Sequence, residues 1–122
     1  MANPAGELIM RCFHARTNAH LQHLSVSHSG SYAAHKALNE FYDDIVDLVD
    51  SFAEAYQGEY DLIKEFDLPF TLEMDSLKML DELVKWIEQT RDEICDETYC
   101  QNIIDEIVAL IRSTQYKLKF LK

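Results

Sequence analysis

Residues that interrupt helices are rare in this chain and fall in only a few places. The whole set consists of Pro4, Gly6, Gly30, Gly58 and Pro69. Between these positions the chain is rich in Leu, Ala, Glu, Asp, Lys and Ile, which favour helix. A chain of 122 residues has room for one core, so its helices must share that core. The distribution predicts one all-α domain, residues 1–122, built from four helices.

The first two helices are predicted from their apolar spacing and from the residues that flank them. Helix 1 is expected over about residues 5–27, followed by a turn that contains Gly30. Helix 2 is expected over about 32–57, with Ser31 as its N-cap and Gly58 at its end. Its apolar stripe is the clearest in the chain: Leu38, Phe41, Ile45, Leu48, Val49, Phe52 and Tyr56.

The second half of the chain predicts two more helices after a long connection. Residues 59–74 contain Pro69 and are expected to be a long connection, with room for a short helical turn. Helices are predicted over about 75–95 and 99–120, separated by the capping-box pattern Thr98-x-x-Gln101. Two short links and one long crossover between helices 2 and 3 describe a ferritin-like four-helix bundle.

Charge and cysteine content argue against several classes of function. Acidic residues outnumber basic ones by 22 to 11, a formal net charge of -11 that repels nucleic acid and anionic membranes. No apolar run approaches the roughly 18 residues of a membrane span. Three cysteines without a CxxC spacing, Cys12, Cys95 and Cys100, predict neither a disulfide framework nor a structural zinc site. A reducing cytoplasm is the expected location.

Four polar residues of helix 2 lie along one edge of its apolar stripe. On a helical wheel with His35 at zero, Asn39, Asp50 and Glu54 fall at about 40, 60 and 100 degrees. His35 and Glu54 are nevertheless roughly 28 Å apart along the axis, too far for one helix to bring them to one ion. If two copies of helix 2 cross antiparallel near residues 44 and 45, His35 and Asn39 of one chain meet Asp50 and Glu54 of the other.

This pairing predicts two mixed nitrogen and oxygen sites in a two-fold dimer, to which His23 of helix 1 can add an imidazole. Imidazole with carboxylate suits iron or zinc, and open coordination positions on iron permit oxygen chemistry.

The run from His23 to Gly58 resembles Dps proteins, the mini-ferritins that oxidise iron between two-fold related subunits. Their five ligands are, in chain order, His, His, Asp, Asp and Glu. Counted from the preceding ligand, the intervals are 12, 4, 11 and 4 residues. This chain has His23, His35, Asn39, Asp50 and Glu54 at those spacings. The resemblance implies an inter-subunit iron(II) site that reduces hydrogen peroxide or dioxygen, with these five residues as the metal site.

Three features depart from the Dps pattern. Asn39 replaces the family's first Asp, Leu24 replaces an aromatic residue after the first His, and the chain is shorter, without a basic N-terminal arm. Asn39 removes one negative charge from the site. The twelve-subunit shell and the DNA binding of Dps are not implied here, whereas a dimer or a larger homo-oligomer is. Short chains of this kind in bacteriophages are similar in the same run.

Other interpretations of these residues remain open. Asp50 and Glu54 also fit a solvated acidic helix face, and His20 with His23 fits a zinc pair, which is less favoured than iron. The main rival is a non-enzymatic, dimeric ferritin-like module that binds an unidentified protein partner or belongs to a virion. Acidic mimicry of DNA is a weaker third hypothesis. The aromatic residues are expected to pack in the core or in interfaces: Tyr32, Tyr42, Tyr56 and Trp86.

Overall fold

A computed structural model describes residues 3–27 and 31–122 of the chain. In these ranges it contains four α-helices and no β-strand. The helices are α1 (Pro4–Ser25), α2 (Ser31–Glu59), α3 (Ser76–Ile94) and α4 (Thr98–Phe120). The all-helical prediction is confirmed, and each helix lies within a few residues of its predicted bounds. Residues 28–30 of the predicted turn before α2, which include Gly30, lie outside the described residues.

Side-chain caps start two of the helices. Asn3 precedes α1, and its side-chain oxygen accepts a hydrogen bond of 2.8 Å from the Ala5 N–H. Pro4 follows as the first helical residue, where a missing N–H costs little. Asp75 caps α3 in the same way, because its Oδ1 accepts a 3.1 Å hydrogen bond from the Lys78 N–H.

The capping box predicted for α4 is wrong. Glu97 precedes α4 without a side-chain cap, and Thr98 is already helical. Gln101 turns back to the preceding helix instead: its Nε2 donates to the Cys95 carbonyl at 2.7 Å, and its Oε1 accepts from Arg91 Nε at 2.8 Å. The tight turn between α3 and α4 makes these partners available, so Gln101 joins the two helices. Likewise Ser31, the predicted cap of α2, is its first helical residue.

The four helices pack around one core as a bundle. α1 contacts α2 and α3, and α4 contacts the same two helices, so α2 and α3 occupy opposite corners. Neighbouring helices are antiparallel: Lys117 near the end of α4 binds Glu40 near the start of α2 at 2.7 Å. Gln22 at the end of α1 likewise meets Met79 at the start of α3. α2 and α3 therefore run parallel, and the link between them must travel the length of the bundle.

The predicted stripe of α2 forms the centre of the core. Phe41, Ile45 and Phe52 are fully buried, as are apolar residues from the other three helices. Tyr42, Tyr56 and Trp86 are partly buried against the core, which confirms that they pack. Tyr32 lies outside the core, because 75% of it is exposed, so of the two predicted positions only an interface fits it. No described helix is both long and apolar enough to cross a membrane.

Residues 60–75, called the crossover below, link α2 to α3 without any helix. The Glu65 carbonyl lies against Gly6 near the start of α1. Further along, the Asn18 side chain bonds the Thr71 carbonyl and the Glu73 N–H, both at 3.0 Å, near the end of α1. The crossover thus runs beside α1 from one end of the bundle to the other. The short helical turn that the sequence left room for is not formed.

Candidate metal centre

Two predicted ligands, His23 and His35, meet where α1 ends and α2 begins. Their rings stack with centroids 3.6 Å apart and planes inclined by 26°. His23 Nδ1 lies 2.9 Å from the His35 carbonyl oxygen, and His35 Nδ1 lies 3.2 Å from the His23 carbonyl oxygen. His23 is buried and His35 is exposed. The antiparallel arrangement of α1 and α2 brings residues 12 positions apart into this reciprocal pair.

The hydrogen bonds fix which nitrogen of each ring can bind a metal. A carbonyl oxygen can only accept, so Nδ1 of each ring must carry the proton and donate. In the neutral imidazole the lone pair then resides on Nε2. Metal-binding histidines are commonly oriented in this way, with the other ring N–H given to a carbonyl or carboxylate. Both His23 and His35 therefore offer Nε2 as a ligand atom.

Two further aromatic rings extend the pair into a group, called the histidine cluster below: His20, His23, His35 and Tyr42. His20 stacks on Tyr42 at 4.3 Å with an interplanar angle of 18°. Tyr42 also meets His23 edge-on at 5.3 Å. The sequence alone predicts only a packing role for Tyr42. Its position seven residues after His35, about two helical turns, was the signal that both face α1.

Asn39 is engaged within its own helix. Its Oδ1 accepts a 2.5 Å hydrogen bond from the Tyr42 hydroxyl, and its Nδ2 donates to Asp43 at 3.1 Å. The amide thus ties Tyr42, a member of the histidine cluster, to the outer face of α2. Because its oxygen already has a donor, Asn39 is better placed to hold Tyr42 than to bind a cation.

Asp50 and Glu54 lie on the outer face of α2, far from the histidines of the same chain. Both side chains are exposed, and neither has a hydrogen bond or ion pair among the described residues. Asp50 is 15 residues after His35, roughly 22 Å along the helix axis. A single chain therefore brings together His23, His35 and the Asn39 region but not the two carboxylates.

Within residues 3–27 and 31–122 no group of three or more His, Cys, Asp or Glu side chains is arranged to hold a metal ion. His20 and His23, the alternative zinc pair, have ring centroids 6.0 Å apart, and although His35 stacks on His23, these side chains do not form one of the groups of three that could hold a metal ion in that part of the chain. Among the described residues, one chain therefore does not form a complete metal site at the histidine cluster.

The cysteines do not provide a second reactive centre. All three are free thiols and buried. Burial raises the pKa of Cys12 to about 12. Burial is also the main cause that raises the pKa of Cys95 and takes that of Cys100 to about 12. Because the thiolate is the nucleophile, these thiols are poorly reactive at neutral pH.

One comparison relates the chain to other proteins. The sequence profile of DUF5856, described as a family of unknown function, matches residues 23–118. The matched segment begins at His23 and includes His35, Asn39, Asp50 and Glu54. No curated protein and no solved structure is significantly similar to the chain.

Proposed function

The chain belongs to the DUF5856 family, whose function is unknown, and we propose that it is a Dps-like iron-binding protein that oxidises iron(II) between two subunits. The observation that carries this proposal is the reciprocal His23–His35 pair, in which both Nδ1 protons go to backbone carbonyls. Both Nε2 atoms then keep a lone pair for a cation. The long crossover and the parallel α2 and α3 support a ferritin-like topology.

The stacking of the two rings favours two neighbouring ion positions over one. An imidazole lone pair lies in its ring plane, and the two centroids are 3.6 Å apart. One ion cannot lie in both planes at normal coordination distances of about 2 Å. Each histidine therefore serves its own iron(II), and the partner's α2 contributes the carboxylates, Asp50 and Glu54.

The proposed reaction uses two iron(II) ions and one oxidant. Each iron(II) gives up one electron, and hydrogen peroxide takes both electrons and two protons to form two water molecules. The protein provides the histidine and carboxylate ligands and a negative field that attracts the cation. Tyr42, held by Asn39, keeps the ring of His23 in place.

Anaerobic titration with iron(II), followed by calorimetry and by mass in solution, tests the proposal. The wild type should bind about two iron(II) ions per site, which the His35→Ala, Asp50→Ala double variant should lose. The matched control is His14→Ala with Asp92→Ala, which removes one histidine of α1 and one exposed carboxylate of α3, both away from the pairing face of α2, and should bind as wild type. Failure of the wild type to bind iron(II) saturably would refute the proposal.

Mixing two single variants tests whether the site is shared between subunits. His35→Ala and Asp50→Ala should each remove one ligand from both sites of a dimer and weaken iron binding at both. In a mixed dimer one site carries both substitutions and the other carries none, so each mixed dimer regains one intact site. In an equimolar mixture that re-associates at random, half of the dimers are mixed, so about one quarter of the wild-type sites should be intact. If mixing restores nothing although mixed dimers form, the ligands do not come from two chains in the proposed way.

A specific observation favours one rival, a non-enzymatic ferritin-like dimer that binds a protein partner. Asn39 stands where Dps proteins have a ligand Asp, and its oxygen is already used by the Tyr42 hydroxyl. In this case the histidine cluster only joins α1 to α2. Dimerisation would then survive the His35→Ala, Asp50→Ala substitution, and no variant would change iron binding.

A further inference from the structure

The crossover is an extended segment in which apolar residues stand mainly at even positions and all carboxylates at odd positions. Between residues 61 and 75 there is no helix, turn or bend. From Glu65 beside Gly6 to Thr71 beside Asn18, six residues span twelve residues of helix, roughly 18 Å, or about 3 Å per residue. That rise is close to the rise of a β-strand. Side chains of such a segment point alternately to opposite faces.

The even-numbered residues form one apolar row with a single interruption at Lys64. Five of them are large, exposed hydrophobic residues: Leu62 (65%), Phe66 (41%), Phe70 (46%), Leu72 (57%) and Met74 (46%). The remaining one in the row, Leu68, is partly buried. A row of exposed apolar residues on one segment marks an interaction surface more often than scattered hydrophobic residues do.

The backbone hydrogen bonds that tie the crossover to the helices also separate odd-numbered from even-numbered residues. Ile63 N–H donates to Gln57, Glu73 N–H donates to Asn18, and the carbonyls of Thr71 and Glu73 accept from Asn18 and Gln22. All of these groups belong to odd-numbered residues, and their partners lie on α1 or at the end of α2, whereas the even-numbered Leu62 donates its N–H to the adjacent Asp61 side chain at 2.7 Å.

In an extended chain the N–H and C=O of one residue point to the same edge, and those of the next residue point to the other. The even-numbered groups therefore form an outer edge directed away from α1. Within the described residues, no hydrogen bond is made by the backbone of Lys64, Phe66, Leu68, Phe70, Leu72 or Met74. An unpaired edge of this kind is a template for an added strand.

The charges of the crossover determine the chemistry of the strand it would accept. The segment carries five carboxylates and one cation: Asp61, Glu65, Asp67, Glu73, Asp75 and Lys64. The carboxylates all stand at odd positions, so they belong to the face opposite the apolar row. A second copy of the segment would place like charges together, on a chain whose net charge is already -11. A strand bearing Lys or Arg is complementary.

We propose that the crossover binds an extended segment of another protein by β-strand addition, and that this segment alternates apolar residues with Lys or Arg. Directly opposed residues of paired strands point to the same face. The apolar side chains of the partner then lie beside Phe66, Leu68, Phe70 and Leu72, and its cations lie beside Glu65 and Asp67. Backbone bonds to the outer edge give affinity, and the alternation gives specificity.

A synthetic peptide of eight residues that alternates Val and Lys is the probe, titrated into the full-length protein. The control peptide has the same composition but a block of Val followed by a block of Lys. We expect saturable binding of the alternating peptide, at least about tenfold tighter than that of the block peptide. N-methylation of alternate residues on the pairing edge should abolish it. Equal affinity for the alternating and block peptides would show charge attraction alone and overturn the proposal.

Amide hydrogen exchange, read residue by residue by NMR, tests the edge itself. On addition of the alternating peptide, exchange should slow at Phe66, Leu68, Phe70 and Leu72 but not at Glu65 or Asp67. If these even-numbered amides were instead protected without peptide, and increasingly so at higher protein concentration, a second copy would be the occupant and the assignment to a foreign segment would be wrong.

A variant distinguishes the crossover from other apolar surface. Phe66→Ser with Leu72→Ser should weaken binding of the alternating peptide at least about fivefold while leaving the bundle folded, because neither side chain belongs to the buried core. Leu24→Ser, which removes a 68% exposed leucine of α1, is the matched control and should bind as wild type. Equal binding by both variants would place the peptide elsewhere and refute the proposal.

Discussion

Gly6 allows the crossover to lie directly on α1. A Cβ built on Gly6 would overlap the Glu65 carbonyl oxygen and would come within 3.2 Å of Ile63 Cγ2. Gly58, in the last turn of α2, has no such neighbour within 4 Å. The two glycines therefore occupy helices for different reasons: only Gly6 is required by a close approach of two backbone segments.

Alanine at these two positions should have opposite effects on stability. Gly6→Ala must push the crossover away from α1 and should lower the free energy of unfolding by about 1–3 kcal/mol. Gly58→Ala adds no clash and improves helix propensity, so it should raise that free energy by up to about 1 kcal/mol. Urea unfolding followed by circular dichroism measures both. A neutral Gly6→Ala would mean that the crossover is not seated on α1 as described.

Helix starts in this bundle are stabilised by different means. α1 and α3 have side-chain caps from Asn3 and Asp75, whereas α4 begins without one. α4 is instead held by Gln101, which bonds Arg91 and the Cys95 carbonyl, and by Tyr99, whose hydroxyl donates to Glu59 at 2.9 Å. The first turn of α4 is therefore stabilised by contacts with other parts of the chain, whereas the first turn of α3 is stabilised by its own cap, Asp75.

Replacing Asp75, which caps α3, should destabilise the protein clearly more than replacing Thr98, the predicted cap of α4. Asp75→Ala loses the acceptor for the Lys78 N–H and should destabilise the protein by about 0.5–2 kcal/mol. Thr98→Ala removes a side chain that caps nothing and should change stability by less than about 0.5 kcal/mol. Thermal unfolding of the two variants beside wild type checks this. If Thr98→Ala lowered the stability as much as Asp75→Ala does, the capping box predicted for α4 would exist after all.

The charge of the whole molecule opposes its self-association. With a net charge of -11, two copies repel at long range. The antiparallel pairing of α2 that we propose would also have a favourable local component, since it would place His35 and Lys36 of one copy near Asp50 and Glu54 of the other. Salt screens the long-range repulsion between the two net charges more strongly than the short-range attraction at the pairing face. The salt dependence of dimerisation therefore distinguishes the two contributions.

The proposed dimer should become tighter as salt is added. Raising NaCl from a low value to about 0.5 M, where the Debye length falls to roughly 4 Å, should lower the dimer dissociation constant in sedimentation equilibrium. The Lys36→Glu variant adds repulsion at the pairing face and should dimerise more weakly at every salt concentration. Dimers that weaken steadily with salt would instead show that complementary surface charges dominate the interface.

The all-helical fold and its core could be predicted from sequence, because helical propensity and apolar spacing are local properties. The stripe of Phe41, Ile45 and Phe52 is buried as its spacing predicted, and the rarity of Gly and Pro limited the chain to a few long helices. The long link between α2 and α3 was likewise visible, since Pro69 and the loss of helical spacing mark it.

Tertiary structure alone decided which polar groups meet. The spacing of Thr98 and Gln101 fits a capping box at the start of α4. The tight turn after α3 instead brings Gln101 within hydrogen-bond distance of Arg91 and the Cys95 carbonyl. The stacking of His23 on His35, the bond between Tyr42 and Asn39, and the division of the crossover into a bonded and an outer edge also depend on how helices are placed. Sequence spacing determines which face of a helix a residue occupies, whereas its hydrogen-bond partner depends on distances set by packing.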